Sequence, residues 1–126
     1  MSHAPLVLIV EDDPGTRSLY REVLTRAGFR TLEAHNGHQA LEKARAASPD
    51  AVLTDLAVPG LDGFELCRAL HASADTRGIP ILAITGHPGY LDEPERARTA
   101  GIAHVLLKPC GGEVIADHLR RLLDRA

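Results

Sequence analysis

The chain has 126 residues, the size of one domain. Hydrophobic residues make up 44% and charged residues 25%, a globular balance that argues against disorder. A net charge of −3 gives no global field that would favour nucleic acid or anionic membrane, and no apolar run approaches a bilayer span. The N-terminus has no basic region ahead of its short apolar run, so no signal peptide is expected, and Cys67 and Cys110 make no disulfide framework. A cytoplasmic domain follows from these exclusions. Of the 14 basic residues only Lys43 and Lys108 are lysine, so each lysine asks for a reason.

Short apolar runs recur along the chain at Leu6–Val10, Arg30–Ala34, Ala51–Thr54, Pro80–Thr85 and Ala103–Leu107. The first, third, fourth and fifth are continuously apolar, the pattern of parallel strands covered on both faces. The second is more polar and suits a sheet edge. Asp13 before Pro14 predicts an N-cap with proline at the first helical position, and Gly28 the stop of that helix. Within it Leu19, Val23 and Ala27 repeat every four residues and are expected to face the sheet. Asn36 with Gln39, Asp62 with Glu65, and Asp92 with Glu95 have capping-box spacing at the starts of helices two, three and four. Gly101 closes the fourth helix, and Leu119, Leu122 and Leu123 form the apolar stripe of a fifth. Strands alternating with helices give βαβ units, a parallel sheet and right-handed crossovers. Residues 1–126 read as one α/β domain with its core at about 5–125 and no effector domain.

Ligands of such folds bind beyond the carboxyl ends of the strands. There this chain places Glu11, Asp12 and Asp13 after the first strand, Asp55 after the third, Thr85 at the end of the fourth and Lys108-Pro109 after the fifth. Two carboxylates about 4 Å apart repel by roughly 4 kcal/mol at an effective dielectric of 20. A third requires a cation, a proton or Lys108 to neutralise part of the charge. The donors are hard oxygens without histidine at metal-ligand spacing, which favours Mg²⁺ or Mn²⁺ over zinc. Carboxylates, a hard cation, a lysine and a hydroxyl around one open point are the parts of a phosphoryl-transfer site, and one carboxylate can be its nucleophile.

The motifs Ile9-Val10-Glu11-Asp12-Asp13, Thr54-Asp55-Leu56-Ala57-Val58-Pro59-Gly60-Leu61-Asp62-Gly63, Thr85-Gly86 and Lys108-Pro109 stand in an order and spacing that resembles the response regulator receiver domains of two-component signalling. The resemblance covers essentially the whole chain. It implies a doubly wound, flavodoxin-like (βα)5 fold with five parallel strands in the order 2-1-3-4-5. It makes Asp55 the phospho-acceptor, with Asp12 binding Mg²⁺ directly, Glu11 through water and the Ala57 main-chain carbonyl as a further ligand. Thr85 and Lys108 then engage phosphoryl oxygens, and a cis peptide precedes Pro109. Phosphoryl comes from a histidine kinase or histidine phosphotransfer protein docking beside the start of helix one, around Gly15 to Ser18. Output passes to an unknown protein target by contact, with neither nucleic acid nor membrane involved directly. The domain assists its own phosphorylation and dephosphorylation and is otherwise no enzyme.

Departures from the family pattern are equally specific. The family's aromatic three residues before the lysine is Val105 here, Cys110 stands where phenylalanine is common and Gly86 where alanine is common. Valine cannot swing as an aromatic ring does, so Val105 marks a non-standard switch. Ala57 and His87 flank the phosphoryl position in the family pattern and are candidates for tuning dephosphorylation. Asp13 and Asp62 read as helix caps, and Cys67, among Phe64, Leu66 and Leu70, as core. Three rival readings follow. A phosphorylation-independent scaffold of the same fold is favoured by Val105 and Cys110. A Mg²⁺-dependent aspartyl phosphatase lacks its second acid, because Ala57 stands two residues after Asp55. A flavin carrier of similar fold is disfavoured by three carboxylates where a phosphate would sit.

Overall fold

A computed structural model describes residues 4–57, 62–92 and 94–124, residues 90 and 91 by their backbone alone. The elements run β1 (Leu6–Val10), α1 (Pro14–Arg26), β2 (Arg30–Ala34), α2 (Gly37–Ala47), β3 (Ala51–Asp55), α3 (Gly63–Ala72), β4 (Ile81–Thr85), α4 (Pro94–Thr99), β5 (His104–Leu107) and α5 (Gly112–Asp124). A 3₁₀ turn over Pro88–Asp92 links β4 to α4. The five strands are parallel and ordered β2-β1-β3-β4-β5, as the family resemblance implies.

The two-residue period of a strand divides the core in two. From β1, Leu8 and Val10 join Val52 and Ala83 against Ala40 and Ala44 of α2 and Phe64, Leu66, Cys67 and Leu70 of α3. On the other face Val7, Ile9, Leu53, Leu82 and Ile84 meet Tyr20 and Leu24 of α1 and Ile115, Ala116 and Leu119 of α5. Cys67 is fully buried, and burial pushes its thiol up to about 12, so it is packing rather than chemistry.

Three helix starts follow their sequence signals. Asp13 accepts from the Thr16 amide at 2.8 Å with Pro14 opening α1, Asn36 accepts from Gln39 at 2.8 Å, and Asp62 accepts from Glu65 at 2.9 Å. The Gln39 side chain accepts from the amide of His35, one residue before the cap. Gly28 and Gly101 follow α1 and α4 at φ of 95° and 78°, left-handed positions that disfavour a Cβ. Gly63 is required for a different reason: a Cβ there would lie 2.4 Å from the Leu56 Cα, so the start of α3 touches the end of the β3 segment.

Several expectations are corrected. In α1 the sheet-facing residues are Tyr20 and Leu24, whereas Leu19 is 57% exposed and Val23 and Ala27 are half-buried. The buried stripe lies one position on from the Leu19 repeat, and each residue turns the helix by about 100°. Val23 instead faces α5, where Gly112 leaves room for it. β5 is an edge strand and not covered on both faces: only Leu106 is buried, with His104 and Leu107 exposed. Its apolar composition reflects one face buried at Leu106 and a second only half-covered at Val105 beside α4. Asp92 closes the 3₁₀ turn and α4 is described from Pro94; the expected start of that helix at Asp92 turns on residue 93, which lies outside the described residues. Asp55 belongs to β3 itself, and the strands read as starting at Pro80 and Ala103 start at Ile81 and His104. Val58, Pro59, Gly60 and Leu61 of the third-strand motif, and residue 125 of the expected core span, lie outside the described residues.

Candidate functional site

Register places the site. Val10 pairs with Thr54, so Glu11 leaves β1 level with Asp55 at the end of β3, and Thr85 pairs with Leu107, so Lys108 leaves β5 one residue past the sheet. The sheet thereby delivers two acids and one ammonium to a common rim. Lys108 Nζ bridges them, 2.6 Å from Asp55 Oδ2 and 2.9 Å from Glu11 Oε1.

Both acids are taken out of water, Glu11 being 2% and Asp55 7% exposed. Every oxygen of the pair has a partner. Glu11 Oε2 accepts from the Asp13 amide at 3.2 Å, and Asp55 Oδ1 accepts from the Ala57 amide at 2.9 Å. Among the described residues no buried side-chain nitrogen or oxygen lacks a hydrogen bond. Burial raises the Glu11 carboxyl above its ordinary value, and the adjoining Asp12 side chain adds to this while Lys108 and the Asp13 amide oppose it. Burial alone would lower the Lys108 ammonium, but the hydrogen bonds it donates to Asp55 and Glu11 outweigh this and hold the group above its usual range. Asp13 is pulled below the carboxylate range by the Thr16 hydroxyl and amide, which agrees with its role as a cap.

The remaining expected residues sit around this centre. Thr85 is fully buried; its carbonyl accepts from the Lys108 amide at 2.7 Å and its hydroxyl accepts from the His87 amide at 3.1 Å. Asp12, Ala57 and His87 are exposed at the rim. The peptide between Lys108 and Pro109 is cis. Val105 does not join the site; it packs half-buried against the core beneath α2, α3 and α4. Cys110 is partly buried against the opposite core face, and burial raises its thiol.

The donor set suits a small hard cation. Three carboxylates and the Ala57 carbonyl offer oxygens without imidazole or thiolate, the preference of Mg²⁺. Among the described residues no three acid, histidine or cysteine side chains have their donor atoms already gathered around one point. Lys108 stands between Glu11 and Asp55 instead, and Asp12 remains at the open edge.

Two residues of the site were not read from the sequence. Arg17, in the first turns of α1, donates to the carbonyl of Glu11 at 2.9 Å and pairs with Glu33 of β2 at 3.3 Å. The available signal was weak: an arginine close after an acidic loop, and one acid in an edge strand.

Comparison with known proteins agrees with this geometry. The chain is 35% identical over 103 residues to the polar-differentiation response regulator DivK of Brucella anthropi, covering 82% of this chain and 83% of DivK. It is 32% identical over 121 residues to the transcriptional regulatory protein AfsQ1 of Streptomyces coelicolor; these are 96% of this chain but 52% of AfsQ1, so the chain spans about half of that relative. Among solved structures it resembles the receiver domain of a sensor histidine kinase from Pseudomonas aeruginosa, which has a magnesium ion coordinated in its active-site cleft. There the identity is 29% and the TM-score 0.87, over 96% of this chain and 98% of that domain. Residues 7–120 match the response regulator receiver domain family. With most of its length matching that family, this chain belongs to the response regulator receiver domains of two-component signalling.

Proposed function

We propose that the chain accepts a phosphoryl group on Asp55 from the phosphohistidine of a histidine kinase or histidine phosphotransfer protein and passes on its state by protein–protein contact. The observation that carries this reading is the buried bridge in which one ammonium, Lys108, spans Asp55 and Glu11 at 2.6 and 2.9 Å. A half-buried lysine between two acids, in a chain that uses arginine for twelve of its fourteen basic residues, is a point charge poised for an incoming oxyanion.

In this reading an Asp55 oxygen attacks phosphorus, the new P–O bond forming as the P–N bond of the donor breaks. The leaving imidazole keeps the electron pair and takes a proton from solvent. The Ala57 amide and Lys108 hold the Asp55 carboxylate in one orientation before attack. Lys108 then exchanges a carboxylate for a phosphoryl oxygen, and the Thr85 hydroxyl donates to another. Mg²⁺, held by Glu11, Asp12, Asp55 and the Ala57 carbonyl, would offset the charge of the phosphoryl oxygens. His87 and Ala57, exposed on either side, set how readily water reaches the acyl phosphate. The donor docks beside the acidic rim and the start of α1, around Gly15 to Ser18.

Intact mass after incubation with a small phosphoryl donor tests the reading. One added phosphoryl is expected with Mg²⁺ present, none without it and none in Asp55→Ala. Failure with several donors while Mg²⁺ still binds would overturn it in favour of a scaffold that signals without phosphorylation. The open edge at β5, with Val105 in place of an aromatic, is the observation that favours that second reading.

A further inference from the structure

Beside the acidic loop stands a cation that acceptor chemistry leaves unused. Arg17 Nη1 donates to the carbonyl of Glu11 at 2.9 Å and reaches the carbonyl of Asp12 at 3.5 Å, while its Nε faces Glu33 Oε1 at 3.3 Å. The other Glu33 oxygen meets Arg21 at 3.4 Å, and its main-chain carbonyl accepts from Lys43. Three basic side chains, two from α1 and one from α2, therefore converge on one residue of an edge strand. The pair is partly shielded, with side-chain exposures of 22% for Arg17 and 30% for Glu33.

A guanidinium prefers a carboxylate to a carbonyl, because charge-assisted hydrogen bonds are the stronger. Arg17 lies next to a loop with three carboxylates, yet it spends its donors on the loop's backbone and on Glu33. The loop's own acid oxygens are left to other partners: Glu11 to Lys108 and the Asp13 amide, Asp13 to Thr16. Glu33 supplies the competing carboxylate that makes this possible. Without it the favourable place for the Arg17 fork is on the acids of the rim, where it would cancel the charge that attracts a cation.

We propose that Glu33 and Arg17 are a positioning pair for the acidic loop: Glu33 holds Arg17 on the carbonyls of Glu11 and Asp12 and off the rim carboxylates, keeping the loop shaped and charged for Mg²⁺. This deepens the acceptor reading and rests on it, since the cation is the one that reading requires. Neither residue touches the reacting atoms.

Calorimetric Mg²⁺ titration of the full chain, without any phosphoryl donor, tests the pair in a double-mutant cycle. Glu33→Gln is expected to weaken Mg²⁺ binding roughly three- to fivefold, the scale of a partly exposed ion pair redirected onto the site. Glu33→Asp, which keeps the charge, is expected to retain most of the affinity. In an Arg17→Gln background Glu33→Gln should have almost no further effect. Equal factors in both backgrounds would overturn the proposal, because that is the mark of a lost negative charge acting at a distance. A metal-free measurement guards the conclusion: amide hydrogen exchange at Asp12 and Asp13 should quicken in both Arg17→Gln and Glu33→Gln. Unchanged exchange in Glu33→Gln would mean Arg17 stays in place alone, and would also overturn it. Wild-type protein that binds no Mg²⁺ removes the acceptor reading and this pair with it, whereas additive factors in a chain that binds Mg²⁺ remove the pair alone.

Discussion

The rim of the sheet and its β5 edge are built on opposite plans. At the rim, the buried acids Glu11 and Asp55 are bridged by the partly shielded Lys108, and every oxygen of the two acids is hydrogen-bonded. At the edge, β5 contributes one buried residue, Leu106, and α4 is six residues long with none buried. The first plan gives a rigid, pre-organised charge array; the second gives elements whose local opening costs little free energy. The charge chemistry and the thinly packed edge are thus mounted on different parts of one sheet, joined through Thr85 and Lys108.

The largest test of this contrast is removal of the bridging ammonium. Lys108→Ala leaves two buried carboxylates uncompensated, and unfolding in urea is expected to show a loss of about 2–4 kcal/mol. Added Mg²⁺ should recover part of it by supplying another cation; unchanged stability would show that the rim is not held by charge. A second comparison sets the two plans side by side, because Ala83 and Val105 are register partners on β4 and β5. Ala83→Phe, at a fully buried position, is expected to cost about 1–3 kcal/mol through overpacking. Val105→Phe should stay within roughly 0.5 kcal/mol because that edge can give way. Similar losses at both positions would erase the distinction.

A smaller effect of opposite sign is expected from Asp12→Asn. It removes a like charge beside Glu11 and should raise stability by about 0.5 kcal/mol while abolishing stabilisation by Mg²⁺ in a melting experiment. The smallest effect concerns the edge. His118 of α5 stacks on His104 of β5 with ring centroids 4.5 Å apart. Burial, then His104 and Arg121, hold the His118 imidazole below its ordinary value against the pull of Asp117. A value lower in the folded than the unfolded chain contributes stability that is present above the unfolded value and lost as pH falls through the folded one. Between pH 7 and 5 the wild type should therefore lose about one or two degrees more in Tm than His118→Gln.

Much of the fold was legible because local signals coincide with it. Asp13, Asn36 and Asp62 cap helices from within three residues, and continuous apolar runs mark strands whose two faces are covered. Legibility failed where a neighbour decides the outcome. Leu19 satisfies a helical repeat as well as Tyr20 does, and only the direction in which α1 lies on the sheet makes Tyr20 the buried one. β5 reads like a central strand because its composition does not record that, among the described residues, no strand pairs beyond it.

The candidate site divides in the same way. Residue type and position after apolar runs single out Glu11, Asp12, Asp55, Thr85 and Lys108, since acids, a hydroxyl and a lysine at strand ends have few structural uses. Their pairing depends on contacts across 53 and 97 residues of chain, and on a register that levels Glu11 with Asp55. Arg17 and Glu33, 16 positions apart by their numbers, meet only because β2 lies beside β1. By itself the sequence determined the strands, the capped helices and the chemical character of the rim, because each is written in near neighbours. Tertiary structure alone decided which faces are buried, which ammonium holds which acids and where the loop's arginine is kept, because those depend on which distant segments share a surface.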